Sequence, residues 1–197
     1  MNEQVGQCIW ASRNELEQIY HDTEWGVPLH DDNKLFEMLI LEGMQAGLSW
    51  TIIMKRREAM REAFDGFNIA TLAQYTPEKE ATLLENPNII RHRLKIAALR
   101  KNAQAFQRVQ AEFGSFDAYI WQFTEGKSIV GHWQRQEDVP ATIPLAEKIS
   151  KDLKKRGFTF VGPTIVYSFM QAIGIVNDHI VTCPCYKRLL TMTDSVE

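Results

Sequence analysis

The chain has 197 residues, 45% hydrophobic and 24% charged, which suits one large domain or two intimately joined small ones and excludes an extended disordered protein. No apolar run reaches the ~20 residues of a membrane helix; the longest candidate, residues 164–175, is interrupted by Ser168 and Gln171. A formal net charge of −3 argues against a protein held on nucleic acid by charge alone.

The opening stretch MNEQVGQCIWASRNE has neither a basic start nor an apolar run, so it does not read as a signal peptide, and a soluble cytoplasmic protein is expected. Asp31, Asp32 and Asn33 form a cap region ahead of the apolar run 35–41, which predicts a helix. Gly47 and Leu48 fall in a break, after which residues 50–64 resume a helical pattern. Shorter helical turns are expected at 71–75 and 77–84. Residues 96–113 form a long periodic segment stopped by Gly114, followed by a short helix over 116–123. The polar segment 124–144, with Gly126, Gly131, Pro140 and Pro144, reads as a loop crossing. Leu145, Ile149 and Leu153 recur every fourth residue and predict an amphipathic helix that Gly157 ends. Residues 158–162 make a tight connection, and Pro163 suits the first turn of a helix running to near Gly174. Sustained period-two alternation is scarce, so the expected fold is all-α, one compact unit over 1–197 or two intimate helical subdomains.

Charge is unevenly spread. Arg91, Arg93, Lys95, Arg100 and Lys101 form one basic stretch, and Lys148, Lys151, Lys154, Lys155 and Arg156 another. Such local fields steer DNA despite an acidic total, and they equally suit ordinary solvated helix faces.

Three constellations carry chemistry. The segment 148–174 reads as helix, hairpin, helix: Gly157 and Gly162 permit a tight turn, and the next helix offers unpaired N–H donors and a positive dipole end to a phosphate. An ordinary two-helix corner has the same pattern. Glu42 shares a helical face with Leu35, Leu39 and Ala46, so it either rotates to solvent or lines a pocket. Beside Tyr20 and Trp50 it would suit a flat, electron-poor ligand with donors on its edge. The third is a metal cluster drawn from Cys8, His21, His179, Cys183 and Cys185. An odd number of cysteines at opposite chain ends is a poor disulfide scaffold, whereas two thiolates and two imidazoles make a neutral tetrahedral Zn²⁺ site. Separate buried core residues are the alternative.

The chain closely resembles the bacterial 3-methyladenine DNA glycosylase I family, of the helix-hairpin-helix glycosylases. The likeness is carried by YHDTEWGVP (residues 20–28), LFEMLILEGMQAGLSW (35–50), IIRHRLKI (89–96) and LKKRGFTFVGPTIVYSFMQAIGIVNDH (153–179). It implies hydrolysis of the N-glycosidic bond of 3-methyladenine in double-stranded DNA, leaving an abasic site. It implies a base pocket of Trp10, Tyr20, Glu42 and Trp50, with Tyr20, Glu42 and Trp50 as the catalytic set. Gly47 and Leu48 would enter the gap in the duplex, with Leu48 as wedge, and Gly157, Phe158, Gly162 and Thr164 would hold the backbone. One structural Zn²⁺ would sit on Cys8, His21, His179 and Cys183, clasping residues 1–28 to 175–185 and leaving Cys185 spare. A monomer with no obligate protein partner and no membrane association is expected.

The chain departs from the family pattern in places. Glu17 stands where relatives often carry a tyrosine, and it either points to solvent or adds negative charge near the base. Leu94 replaces a familiar glycine. Asn177 stands where many helix-hairpin-helix glycosylases have a catalytic aspartate; Asp178 is offset by one and is expected to support the metal loop. Thr164 occupies the position of the strand-cleaving lysine, so base release alone is expected.

Overall fold

Short polar side chains start most of the helices. Asn14, Asp31, Ser49, Asn68, Thr76, His92 and Ser115 each turn a side-chain acceptor onto the amide three residues ahead. A computed structural model describes residue 6 and residues 8–193, so the part of the expected N-terminal clasp at 1–5 and 7 lies outside the described residues. The helices are α1 (Glu15–Thr23), α2 (Asp32–Gln45), α3 (Trp50–Ala63), α4 (Ile69–Ala73), α5 (Pro77–Glu85), α6 (Arg93–Phe113), α7 (Phe116–Trp121), α8 (Pro144–Lys155), α9 (Pro163–Ala172) and α10 (Pro184–Thr193). The class is all-α. Two short strands, β1 (Ile129–Val130) and β2 (Val176–Asn177), add a parallel ladder that tethers the long crossing loop to the exit of α9.

Helix α2 is the axis of the fold. Every residue from Leu35 to Met44 is buried, and α3, α6, α7 and α9 pack around it. A helix enclosed on all sides drags its polar residues inside with it. Glu37 is met there by Arg57 at 2.8 Å and Arg61 at 2.6 Å. Glu42 is given no such partner.

The boundaries differ from the sequence expectations where polar residues carry no periodicity. Helix α2 starts at Asp32 because Asp31 caps it, accepting from Lys34 N at 2.9 Å. Helix α6 starts at Arg93 rather than 96 because His92 takes the cap position. Helix α8 ends as foreseen: Phe158 N donates to Leu153 O at 3.1 Å and Gly157 N to Lys154 O at 3.0 Å, with Gly157 at φ +95°. This paired closure needs a left-handed residue, which glycine adopts without a Cβ clash. Phe160, at φ +56°, is the strained residue of the hairpin. It is held by its flanks: Asn102 on α6 bonds both N and O of Thr159 (2.8 and 3.0 Å), and Ser150 on α8 donates to Val161 O (2.6 Å).

Candidate active site

The ends of α1, α2 and α9 and the start of α3 enclose a cleft of about 410 Å³. Trp10, Tyr20 and Trp50 form an aromatic wall, with the Tyr20 ring 5.2 Å from Trp50 and 6.2 Å from Trp10. Glu42 reaches the cleft from α2 and is only 4% exposed. Burial without a donor pushes its carboxyl up to about 8, which favours the protonated form at neutral pH. The Tyr20 hydroxyl and Trp50 Nε1 are buried in the same wall, and neither meets a protein partner among the described residues. Unmade hydrogen bonds cost free energy when buried, so their concentration in one cleft marks a place built for an occupant.

Next to the cleft, residues from both chain ends converge. The ligand atoms of Cys8, His21, His179 and Cys183 all lie within 4.8 Å of one another, and all four residues are buried. Sulfur–nitrogen separations are 3.6–3.7 Å and His179 Nδ1 lies 3.0 Å from His21 Nε2. The outer ring nitrogens are already committed. His179 Nε2 faces Trp25 O at 3.0 Å and His21 Nδ1 faces Asp22 Oδ1 at 2.7 Å, which turns the other nitrogen of each ring inward. The arrangement is a candidate metal-binding cluster. Cys185 stays outside it, 3.8 Å from Asp22 Oδ1 on the far side of His21.

Cluster and cleft share a wall. Tyr20 and His21 are consecutive on α1, one ring in the cleft and the other in the cluster. Trp10 touches both, with its ring 5.4 Å from that of His21. Holding the chain ends together therefore also sets the aromatic wall.

The loop between α2 and α3 projects Leu48, 37% exposed, from a Gly47 at φ +77° that has open space around it. Its base is clamped by Lys95 of α6, whose ammonium donates to Met44 O at 2.8 Å and Ala46 O at 2.6 Å. Since Asn102 on the same helix holds the hairpin, α6 braces both projecting loops. No motif points to Lys95, because a buried lysine looks like any other member of its basic stretch.

The hairpin residues separate in role. Gly162 caps α9 with an ordinary φ of −62° and nothing within 4 Å of a would-be Cβ, so its bare backbone is free for an approaching group. Thr164 stands in the first turn of α9 and also lines the cleft. Phe158 faces inward, 3% exposed, with its ring tilted against that of Phe116 at 6.1 Å, so residue 158 offers only its backbone to a partner. Asp178 accepts three hydrogen bonds: Trp133 and Gln171 donate to it at 2.7 and 2.8 Å, and Tyr167 donates as well. These three donors hold Asp178 in place, and it orients the loop before His179. Glu17 points inward, at 1% exposure, and lines the cleft.

Residues 10–186 match the family model described as methyladenine glycosylase. The chain belongs to that family. The glycosylase is 44% identical to DNA-3-methyladenine glycosylase 1 of Escherichia coli (strain K12) over 91% of this chain and 96% of that one. Its fold is similar to a crystal structure of 3-methyladenine DNA glycosylase I, with a TM-score of 0.89 and 46% identity over 91% of this chain and 99% of that one. A variant of 3-methyladenine DNA glycosylase I in complex with 3-methyladenine matches with a TM-score of 0.87 and 37% identity, over 93% and 97% of the two chains.

Proposed function

We infer that the glycosylase removes 3-methyladenine from double-stranded DNA by hydrolysing its N-glycosidic bond, as a base excision repair enzyme that leaves the strand intact. Family membership over nearly the whole chain supports the activity, and the unpartnered Glu42 carboxyl in an aromatic cleft is the observation that carries the chemistry.

The target base must leave the helix stack to enter the cleft, which costs a few kcal/mol and least at a damaged pair. Leu48 fills the gap it leaves. The amides at the start of α9 and the bare backbone at Gly162 hold a phosphate, fixing register without reading sequence. Methylation at N3 makes the purine cationic, so aromatic faces attract it and Glu42 accepts its N–H bonds. A cation arriving beside Glu42 favours release of the carboxyl proton, and the ionised form then binds the damaged base more tightly than neutral adenine. The departing base leaves as a neutral molecule and needs little acid catalysis. With Asp178 tied to its donors, selectivity rests on fit and electrostatics rather than on a strong base. Thr164 cannot form a Schiff base, which matches base release without strand cleavage.

We assign Zn²⁺ to the metal-binding cluster. A tetrahedral zinc with bonds of ~2.3 Å to sulfur and ~2.0 Å to nitrogen needs S···N edges of about 3.5 Å and an N···N edge of about 3.3 Å. The cluster's separations lie close to both. Its role is structural, since the protein supplies four ligands and leaves no open position. One chain supplies cleft, wedge and hairpin, which supports a monomer acting on chromosomal DNA in the cytoplasm. Among the described residues no helix is long and apolar enough to cross a membrane.

The test is incubation with methylated duplex DNA, with chromatography of released purines and electrophoresis of the strand before and after alkali. Release of 3-methyladenine with breaks only after alkali is expected. A folded protein that releases no alkylated purine refutes the reading.

A further inference from the structure

Leu94, in the first turn of α6, is 65% exposed, well above the 37% of the proposed wedge Leu48. Single exposed leucines are ordinary on a protein surface, but the setting of this one is not. Residues 86–111 contain no acidic side chain, and Arg91, His92 and Arg93 beside Leu94 are all exposed. Arg100, further along α6, is paired with Glu80 at 2.8 Å. Arg91 and Arg93 form no ion pair among the described residues. Three tethers fix where this turn stands. Lys95 Nζ donates to Met44 O and Ala46 O at the base of the Leu48 loop. Arg56, on the helix that follows that loop, donates to Pro87 O at 3.1 Å and Ile89 O at 2.6 Å. The His92 ring lies 6.5 Å from that of Phe160 in the hairpin. Residues 91–94 therefore adjoin both elements that hold the duplex in the proposed reaction.

We propose that Leu94 is a second apolar wedge, which enters the duplex beside Leu48 and packs on the base opposite the extruded nucleotide, while Arg91 and Arg93 take the flanking phosphates. The proposal rests on the glycosylase reading of the cleft. Extruding a base opens two apolar surfaces to water: the gap in the damaged strand and the unpaired base across from it. Leu48 covers the first. A leucine on a different helix, braced to the same loop through Lys95, covers the second. Cations on phosphates carry no sequence information, so they hold the wedge at any damaged site. A second copy of this chain is a poor occupant of the same face, because pairing it with its twin sets unpaired arginines against one another.

The probe is a duplex with a tetrahydrofuran abasic analogue as a stable gap and 2-aminopurine, which brightens when unstacked, opposite it. Wild type is expected to raise the emission at saturating protein, and Leu94→Ala to lose most of that rise. Anisotropy is expected to show at least about tenfold weaker duplex binding by Leu94→Ala, the effect of leaving one leucine side chain in water. Binding of the same sequence as a single strand is expected to be unchanged, with a melting temperature within about 2 °C of wild type. Arg91→Gln should instead reduce the salt dependence of binding by about one counterion and keep the emission rise at saturation. An unchanged Leu94→Ala on duplex, equal weakening on duplex and single strand, or a wild-type dimer that Leu94→Ala dissolves overturns the proposal and leaves the glycosylase reading standing. Wild type that releases no alkylated purine from methylated duplex overturns both.

Discussion

Glu42→Gln separates the two consequences of burying an ionisable group. The carboxyl is pushed from its ordinary 4.5 up to about 8 in the folded protein. Between those values the unfolded chain has released a proton that the folded chain still holds. Folding stability therefore falls as pH rises through the window, by about 1.4 kcal/mol per pH unit, and levels off above 8. Glutamine is neutral throughout and carries no such slope. Between pH 5 and pH 8 the variant should gain on the order of 4 kcal/mol relative to wild type. Denaturant unfolding of both proteins at several pH values measures this. Groups common to both proteins cancel from the difference. Activity should move the opposite way: the variant loses at least about tenfold in 3-methyladenine release, because a neutral amide cannot meet the cationic base with a charge-assisted bond. Wild-type kcat/KM should itself rise with pH toward 8, since burial favours the protonated form of Glu42 in the free enzyme below that value. Parallel stability curves for the two proteins would refute the claim that Glu42 is buried without a partner.

Removing the metal with a strong chelator, or changing Cys8→Ser, should lower the melting temperature by at least about 10 °C and alter tryptophan emission, because Trp10 and Trp25 pack on the ligand histidines. An unchanged melting curve speaks against the clasp. Leu48→Ala should leave stability within about 0.5 kcal/mol while slowing excision from duplex more than from single-stranded DNA, as the side chain is exposed; equal slowing on both removes the wedge role. Lys95→Met leaves two carbonyls at the end of α2 without their donor and should cost about 1–3 kcal/mol, with KM for duplex raised more than kcat is lowered. Gly162→Ala should fold normally, because nothing lies within 4 Å, yet bind DNA more weakly in a gel or anisotropy assay. Gly157→Ala should instead lose about 1–2 kcal/mol of stability through its φ of +95° and contact with Arg108. Identical behaviour of the two glycine variants contradicts the division of roles in the hairpin.

Much of this protein is legible in its residues taken in order. Caps such as Asp31 and stops such as Gly114 and Gly157 act within a few residues of themselves, so the helices they bound are readable along the chain. The motif blocks name the family, and residue types alone pick out cysteines and histidines suited to a metal. Distance in the chain hides the rest. The cluster joins Cys8 to His179 across 171 positions, and only folding shows that Asp22 and the Trp25 carbonyl orient the histidines. The inward turn of Glu17, the clamp of Lys95 and the three donors that hold Asp178 are decided by neighbours elsewhere in the fold. Burial and pairing are properties of a packed neighbourhood, and no local pattern in a chain encodes which distant group will stand opposite.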